Sequence, residues 1–144
     1  MSRIKITANE MRYMALFESI SGAMAKDCII DDDQKKLVFI TKAKEAGFAV
    51  GRNGTKIKML KRATGKNIEI IEYAENIQDF IKNAFMPARI REVRLIEKVD
   101  KTKMAIVQVE ECDKGLAIGR GGERVERIRN LLRKYFNITN LIIS

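Results

Sequence analysis

No histidine occurs in the sequence. With it go the usual general base, the usual zinc ligand and every Ser–His or Cys–His nucleophile arrangement. Cysteine is scarce: Cys28 and Cys112 are far apart and belong to no paired motif, so a disulfide framework is not expected and both read as reduced, half-buried thiols. No apolar run approaches the length of a bilayer-spanning helix. Met1-Ser2-Arg3-Ile4-Lys5 also lacks the apolar stretch and small-residue cleavage site of a signal peptide. A soluble, cytoplasmic protein with no membrane partner is expected. Proline is down to one residue, Pro87, and no Gly/Ser/Pro-rich spacer interrupts the chain.

Hydrophobic residues are not lacking: at 46% of 144 residues they suffice to build a core for one ordinary domain or two small ones. Two stretches organise them. Gly51-Arg52-Asn53-Gly54 follows Phe48-Ala49-Val50, and Gly119-Arg120-Gly121-Gly122 follows Leu116-Ala117-Ile118. One fixed offset pairs Gly51 with Gly119, and also Val38 with Ile106, Gly47 with Gly115, Ala49 with Ala117, Arg52 with Arg120, Ile57 with Val125 and Leu60 with Ile128. The chain therefore reads as two copies of one unit.

Glycine at both ends of a four-residue connection lets backbone pass close to a ligand that a β-carbon would hold away. Where such a loop opens a helix, unpaired N–H groups and the positive end of the helix dipole face outward, and the natural guest is a phosphate. A plain helix-to-helix turn would explain one such loop. It does not explain two in matching basic surroundings.

The charge is +9, and its placement is informative. From Gly51 to Lys66 there are six basic residues (Arg52, Lys56, Lys58, Lys61, Arg62, Lys66) and no acid. From Gly119 to Lys134 six basic residues face two acids. The whole excess thus falls directly after the two glycine loops, as a polyanion partner would require.

Along the chain, the capping box Thr7-Ala8-Asn9-Glu10 predicts a helix over about 8–25 with Met11, Met14, Phe17 and Met24 as core packing. Short strands are predicted at Cys28–Ile30 and Lys36–Thr41, the second buried on both faces, with Asp31–Asp33 as a solvated hairpin turn rather than a metal loop. Helices over about 43–50 and 55–63 flank the first glycine loop, the second burying Ile57 and Leu60; Gly65 caps it, and Ile68–Ile71 is the next strand. The second copy repeats the order: helix Glu75–Phe85, strands Arg89–Val99 and Met104–Val109, short helix Cys112–Ile118, helix Glu123–Tyr135 burying Val125, Ile128, Leu132 and Tyr135, and strand Ile138–Ile143. Two domains are expected, 1–73 and 74–144. The unbroken junction Tyr73-Ala74-Glu75 predicts that they sit rigidly side by side.

At these residues the sequence resembles the K-homology (KH) family, whose motif is a G-x-x-G loop between two helices. The order helix, strand, strand, helix, helix, strand is similar to its type II form. That implies an α+β fold (an α/β sandwich), two tandem αββααβ units each packing a three-stranded mixed sheet on helices. Two such units without a spacer resemble the KH pair of the NusA family of transcription factors, in its short archaeal form. The resemblance implies binding of nascent single-stranded RNA, association with RNA polymerase and a part in pausing, termination or antitermination.

Carried onto this chain, the implied RNA cleft sets the backbone of Gly51, Arg52, Asn53 and Gly54 against phosphates, with Lys56 nearby as a charge and Val50 and Ile57 as the apolar floor beneath the bases. The matching set is Ile118, Gly119, Arg120, Gly121, Gly122, Arg124 and Val125. Each cleft of this kind holds about four nucleotides, so the two adjacent clefts would track about eight. The family's variable loop falls at Asp31–Asp33, whose three charges would oppose RNA at the cleft edge, and Glu123 has a weaker effect of the same sign. One unit is therefore expected to bind more strongly, without indication of which. The low aromatic content, 6%, suits a cleft that holds bases on aliphatic side chains rather than on stacked rings.

The residues fit other functional classes less well. Gly51-Arg52-Asn53-Gly54-Thr55-Lys56 lacks the spacing of a phosphate-binding P-loop, and the region around Gly119 lacks that of a dinucleotide fingerprint. Without histidine or convergent carboxylates no enzyme is expected, and no cofactor. A ribosomal or ribosome-assembly protein is the alternative RNA-binding role, since a fold does not choose between ribosome and polymerase. Binding of single-stranded DNA ranks below both.

Overall fold

The computed structural model describes residues 6–144. Met1 to Lys5, where the sequence leads to no expectation of a signal peptide, lie outside the described residues. The chain divides into two compact units, the first ending at Glu75 and the second beginning at Asn76.

In the first unit, helix α1 spans Ala8–Ser21, opened by the Thr7 hydroxyl accepting the Glu10 N–H at 3.3 Å. It ends four residues before the sequence reading placed its end. Gly22 takes φ 76° and its N–H closes on Glu18 O, a left-handed cap that turns the chain out of the helix. The residues so released feed strand β1 (Ala25–Asp31), whose start is held by the Ala25 N–H on the Glu18 carboxylate at 2.9 Å. β1 is therefore longer than the apolar triplet Cys28–Ile30 suggested, because backbone pairing continues through polar Asp27 and, past a bulge at Lys26, to Ala25.

Strand β2 (Lys36–Thr41) lies between β1, to which it is antiparallel, and β3 (Asn67–Glu72), to which it is parallel. As expected of a central strand, Leu37 to Thr41 are all buried. Cys28, Phe39 and Ile70 stand in register on one face, and Phe17 of α1 stacks on Phe39 with ring centroids 4.4 Å apart. Leu37, Ala49 and Leu60 complete this core, with Tyr13, Met14 and Ile20 at its margin. The methionine stripe is only partly core: Met11 and Met24 are 60% and 48% exposed. The inward face follows 13, 17 and 20, which leaves Met11 off it, and Met24 lies past the Gly22 cap, where helical spacing no longer applies. Helix α2 (Ala46–Val50) starts later than predicted, because Lys42–Glu45 form a turn with Lys44 at φ 67°. Helix α3 (Thr55–Thr64) closes on Gly65 at φ 70°, as its sequence indicated.

The second unit repeats the plan. Helix α4 (Ile77–Phe85) is capped by the Asn76 side chain on the Asp79 N–H at 3.1 Å and buries Phe80, Ile81, Ala84 and Phe85. Strands β4 (Ile90–Glu97), β5 (Lys103–Val109) and β6 (Ile138–Ile143) form the order β4-β5-β6, again antiparallel then parallel. β4 stops short of Val99 because the hairpin closes early, with Lys98 N–H on Thr102 O at 2.7 Å and the Asp100 carboxylate accepting from Thr102. A single 3-10 turn at Glu111–Asp113 precedes helix α5 (Lys114–Ile118), and helix α6 (Glu123–Phe136) carries fourteen residues where α3 has ten. α6 buries Ile128, Leu131 and Leu132, the sheet buries Ala105, Val107 and Leu141, and Val125 and Tyr135 stay half-buried.

The two thiols are free but unlike. Cys28 is buried in β1, and burial, with Glu10 and Asp27 nearby, pushes its pKa up to about 12; Cys112 is exposed on a turn rather than half-buried. No helix among the described residues is long and apolar enough to cross a membrane.

Candidate nucleic-acid interface

The loop between α2 and α3 begins where Gly51 stops the helix at φ 76°, ψ 172°, a backbone region open to glycine alone. Space demands glycine as well, since a Cβ there would lie 2.8 Å from Lys56 Cγ and 3.1 Å from Lys56 N. One tight turn, Arg52–Gly54, then brings Gly54 N–H onto Gly51 O at 3.2 Å, with Asn53 at φ 56° and Gly54 at φ 70°. An added Cβ at Gly54 would meet no atom within 4 Å, so this side of the loop faces open space.

The second loop repeats these angles within a few degrees. Gly119 has φ 79°, ψ 172°, Gly121 φ 62° and Gly122 φ 76°. A Cβ at Gly119 would meet Arg124 Cβ at 2.6 Å, whereas Gly121 and Gly122 are open. α1 and α4 each receive a side-chain cap, but α3 and α6 start on glycine with none. The Gly54, Thr55, Gly122 and Glu123 N–H groups close on carbonyls of the turn itself, and beyond them the positive end of each dipole is left for an anion from outside.

The expected site residues separate into three groups. Arg52, Asn53, Arg120 and Gly121 are exposed at the loop tips. Val50, Ile57 and Val125 are half-buried beside the loops and Ile118 is 39% exposed, apolar surface that a base could cover. Lys56 and Arg124 do something other than the expected display of charge. Lys56 Nζ donates to Ser21 O at 2.6 Å. Arg124 is 9% exposed, and its guanidinium donates to Leu116 O and Ala84 O at 3.3 Å each, and to Met86 O. Both cations fasten the helix after the loop to the end of their unit's first helix, where carbonyls lack intrahelical donors and the dipole is negative. The loop's first glycine is there to let this cation pass. Lys56 and Arg124 share one repeat position, five residues after the loop's first glycine, and that shared position is the sequence signal from which the packing could have been read.

Charge after the second loop is more hidden than its count suggested. Arg127 is buried as well, and Arg129 pairs with Glu126. The acidic hairpin turn lies at the far end of α3 from the glycine loop: Asp32 is 4.0 Å from Lys66, just past the helix, and Asn67 N–H bonds Lys35 O. Ten helical residues, about 15 Å, separate those carboxylates from the loop amides. Among the described residues no three His, Cys, Asp or Glu side chains gather as a metal site would need.

Comparison with known proteins agrees with this geometry. The KH-domain profile matches residues 11–103, and that of the NusA-like second KH domain matches residues 77–143. A probable transcription termination protein NusA from Halococcus morrhuae is 32% identical over 99% of both chains. The chain belongs to the NusA-like family of KH proteins. A protein of the same description from Methanocaldococcus jannaschii is 28% identical over 98% of this chain and 75% of its own. The crystal structure of APE1850, 40% identical, superposes with a TM-score of 0.79 over 96% of this chain and all of that one. The NusA-like chain is thus an α+β protein of two KH units, each a mixed three-stranded sheet with helices.

Proposed function

We propose that the chain binds single-stranded RNA at two GXXG clefts, one in each KH unit, as a NusA-like accessory factor in transcription elongation and termination. The observation that carries this is the pair of glycine loops with matching positive-φ geometry. Each presents an uncapped helix start and open backbone to solvent, next to half-exposed aliphatic side chains. Phosphates lie against the backbone of Gly51–Gly54 and Gly119–Gly122, with Arg52 and Arg120 as mobile counter-charges. Bases rest on Val50 and Ile57, or on Ile118 and Val125. Lys56 and Arg124 serve these sites by holding the loops in shape. A KH cleft clamps about four nucleotides, so each unit, 1–73 or 74–144, takes one short segment.

The relatives' names as probable transcription termination proteins support the nascent transcript as the RNA and RNA polymerase as a partner. The protein acts in the cytoplasm by binding and not by catalysis. The test replaces Arg52 and Asn53 with Asp, and Arg120 and Gly121 likewise. Asn53 and Gly121 sit at left-handed φ, which aspartate tolerates better than most residues. With circular dichroism unchanged, RNA binding is expected to fall about 100-fold or more at fixed salt, as charge reversal at both loops repels the phosphates. A folded variant that keeps parental affinity contradicts the assignment.

A further inference from the structure

Beside the C-terminal half of α3 lies a second concavity, about 450 Å³, lined by Lys58, Lys61, Arg62, Gly65, Lys66 and Asn67. Four of the six lining residues are cations and none is an acid. Lys58 and Arg62 are one helical turn apart, with Lys61 beside them, a spacing at which like charges repel. Among the described residues no ion pair involves Lys58, Lys61 or Arg62, and Lys66 has only the 4.0 Å approach of Asp32, whose side chain is 85% exposed. Gly65, at φ 70°, leaves the floor open, with no atom within 4 Å of an added Cβ.

The second unit has no counterpart. Its equivalent positions are Glu126, Arg129, Asn130, Arg133 and Lys134, and the Glu126–Arg129 pair neutralises the stripe at its centre. Repeat symmetry therefore does not demand a bare cationic groove at this place. The groove also lies on the helix that leaves the glycine loop. Gly54 directly precedes α3, and the Lys58 to Arg62 step continues along the same helix by about 6 Å.

We infer that this groove is an extension of the first cleft, which holds the sugar-phosphate backbone of the RNA just beyond the nucleotides clamped at Gly51–Gly54. The inference rests on the RNA-binding reading above. It makes the first unit the stronger, more salt-sensitive binder with the longer footprint, and it sets the end of that footprint at Asp32, which competes with phosphate for Lys66.

The experiment measures affinity of the full chain for a labelled 12-nucleotide RNA across a salt series, with circular dichroism as the folding control. The K58Q/K61Q/R62Q variant keeps good helix formers on an exposed face. It is expected to flatten the slope of log affinity against log salt by about 2, three contacts at about 0.7 each, and to weaken binding about 10-fold at low salt. Asp32→Asn frees Lys66 and is expected to tighten binding about two-fold. The K98Q/K101Q/K103Q variant removes equal charge from the second unit's hairpin and is expected to leave the slope unchanged.

An unchanged slope in K58Q/K61Q/R62Q, as when the groove serves an acidic protein surface instead, overturns the inference. So does an equal drop in the hairpin variant, which would mean diffuse attraction, or a loss of affinity in Asp32→Asn. Failure of the parental chain to bind the 12-mer sinks the RNA-binding reading itself. Binding that survives K58Q/K61Q/R62Q but not the aspartate loop variants sinks the extension alone.

Discussion

The two units share a loop geometry to within a few degrees and use their cations in opposite ways. After the first loop, Arg52, Lys58, Lys61 and Arg62 are exposed and only Lys56 is tied inward. After the second, Arg124 and Arg127 are buried, Arg129 is paired with Glu126, and only Arg120 and Arg133 are exposed. Equal numbers of basic residues thus give one unit a charged surface and the other a charged interior. The lesson is that charge after a GXXG loop has two uses, fastening the loop and attracting a ligand, and the balance differs between copies of one fold.

The largest expected difference between the units concerns the first glycine. Gly119→Ala forces a Cβ to 2.6 Å from Arg124 Cβ, a buried anchor, whereas Gly51→Ala brings one to 2.8 Å from Lys56 Cγ, one atom farther along its side chain. Strain at such φ costs about 1–3 kcal/mol. With the clash added, Gly119→Ala is expected to lose about 4 kcal/mol and Gly51→Ala about 2 kcal/mol, read from chemical denaturation followed by unit-specific probes. Equal losses would erase the proposed difference in anchoring.

Next in size is removal of the anchors themselves. Arg124→Ala leaves the carbonyls of Ala84, Met86 and Leu116 without their donor inside the fold, for an expected cost of about 3 kcal/mol. Lys56→Ala breaks one half-buried bond to Ser21 O and is expected to cost about 1 kcal/mol. Thermal denaturation of both variants checks the ratio. A stable Arg124→Ala chain with impaired RNA binding would return Arg124 to the role of a ligand for phosphate.

Smaller again is the split in RNA affinity. Aspartate at Arg52 and Asn53 alone is expected to weaken binding about 10-fold or more, and aspartate at Arg120 and Gly121 about three-fold, because the first loop sits in the barer positive field. Anisotropy titration at one stated salt concentration measures both, and the reverse order would place the dominant cleft in the second unit.

The smallest effect is one of pH in the second unit. The Arg89 side chain holds Asp113 below the usual carboxylate range, Lys114 does the same for Glu111, and Thr102 for Asp100. A carboxyl whose folded pKa is depressed lends stability above its unfolded pKa and loses it as pH falls through the lowered folded value. Acidification below about pH 4 is therefore expected to loosen the second unit by this route. Asp113→Asn should flatten that dependence in residue-resolved hydrogen exchange, and an unaltered acid profile would show that the Arg89 contact contributes nothing.

Much of this was legible in the sequence. The repeat offset aligned α2 with α5 and the two loops residue for residue, and the Thr7–Glu10 capping box, Gly65 and short apolar runs located the elements. What stayed hidden depends on direction rather than composition. Net charge counted Arg124 and Arg127 as surface, yet they fall on the inward stripe of α6 with Ile128 and Leu131. Methionine spacing predicted a core face for Met11, which the helix turns to solvent. Residue type alone did not locate the three aspartates relative to the glycine loop, because only parallel pairing of β2 with β3 shows that their turn meets Lys66 at the far end of α3.

The account stands on the loop backbones as the place where RNA is held. Titration of the isotopically labelled chain with single-stranded RNA, followed through backbone amide resonances, tests that directly. The largest shifts are expected at Arg52–Lys56 and Arg120–Arg124, with the first set saturating at lower RNA concentration. Large shifts elsewhere with both loops silent would contradict it.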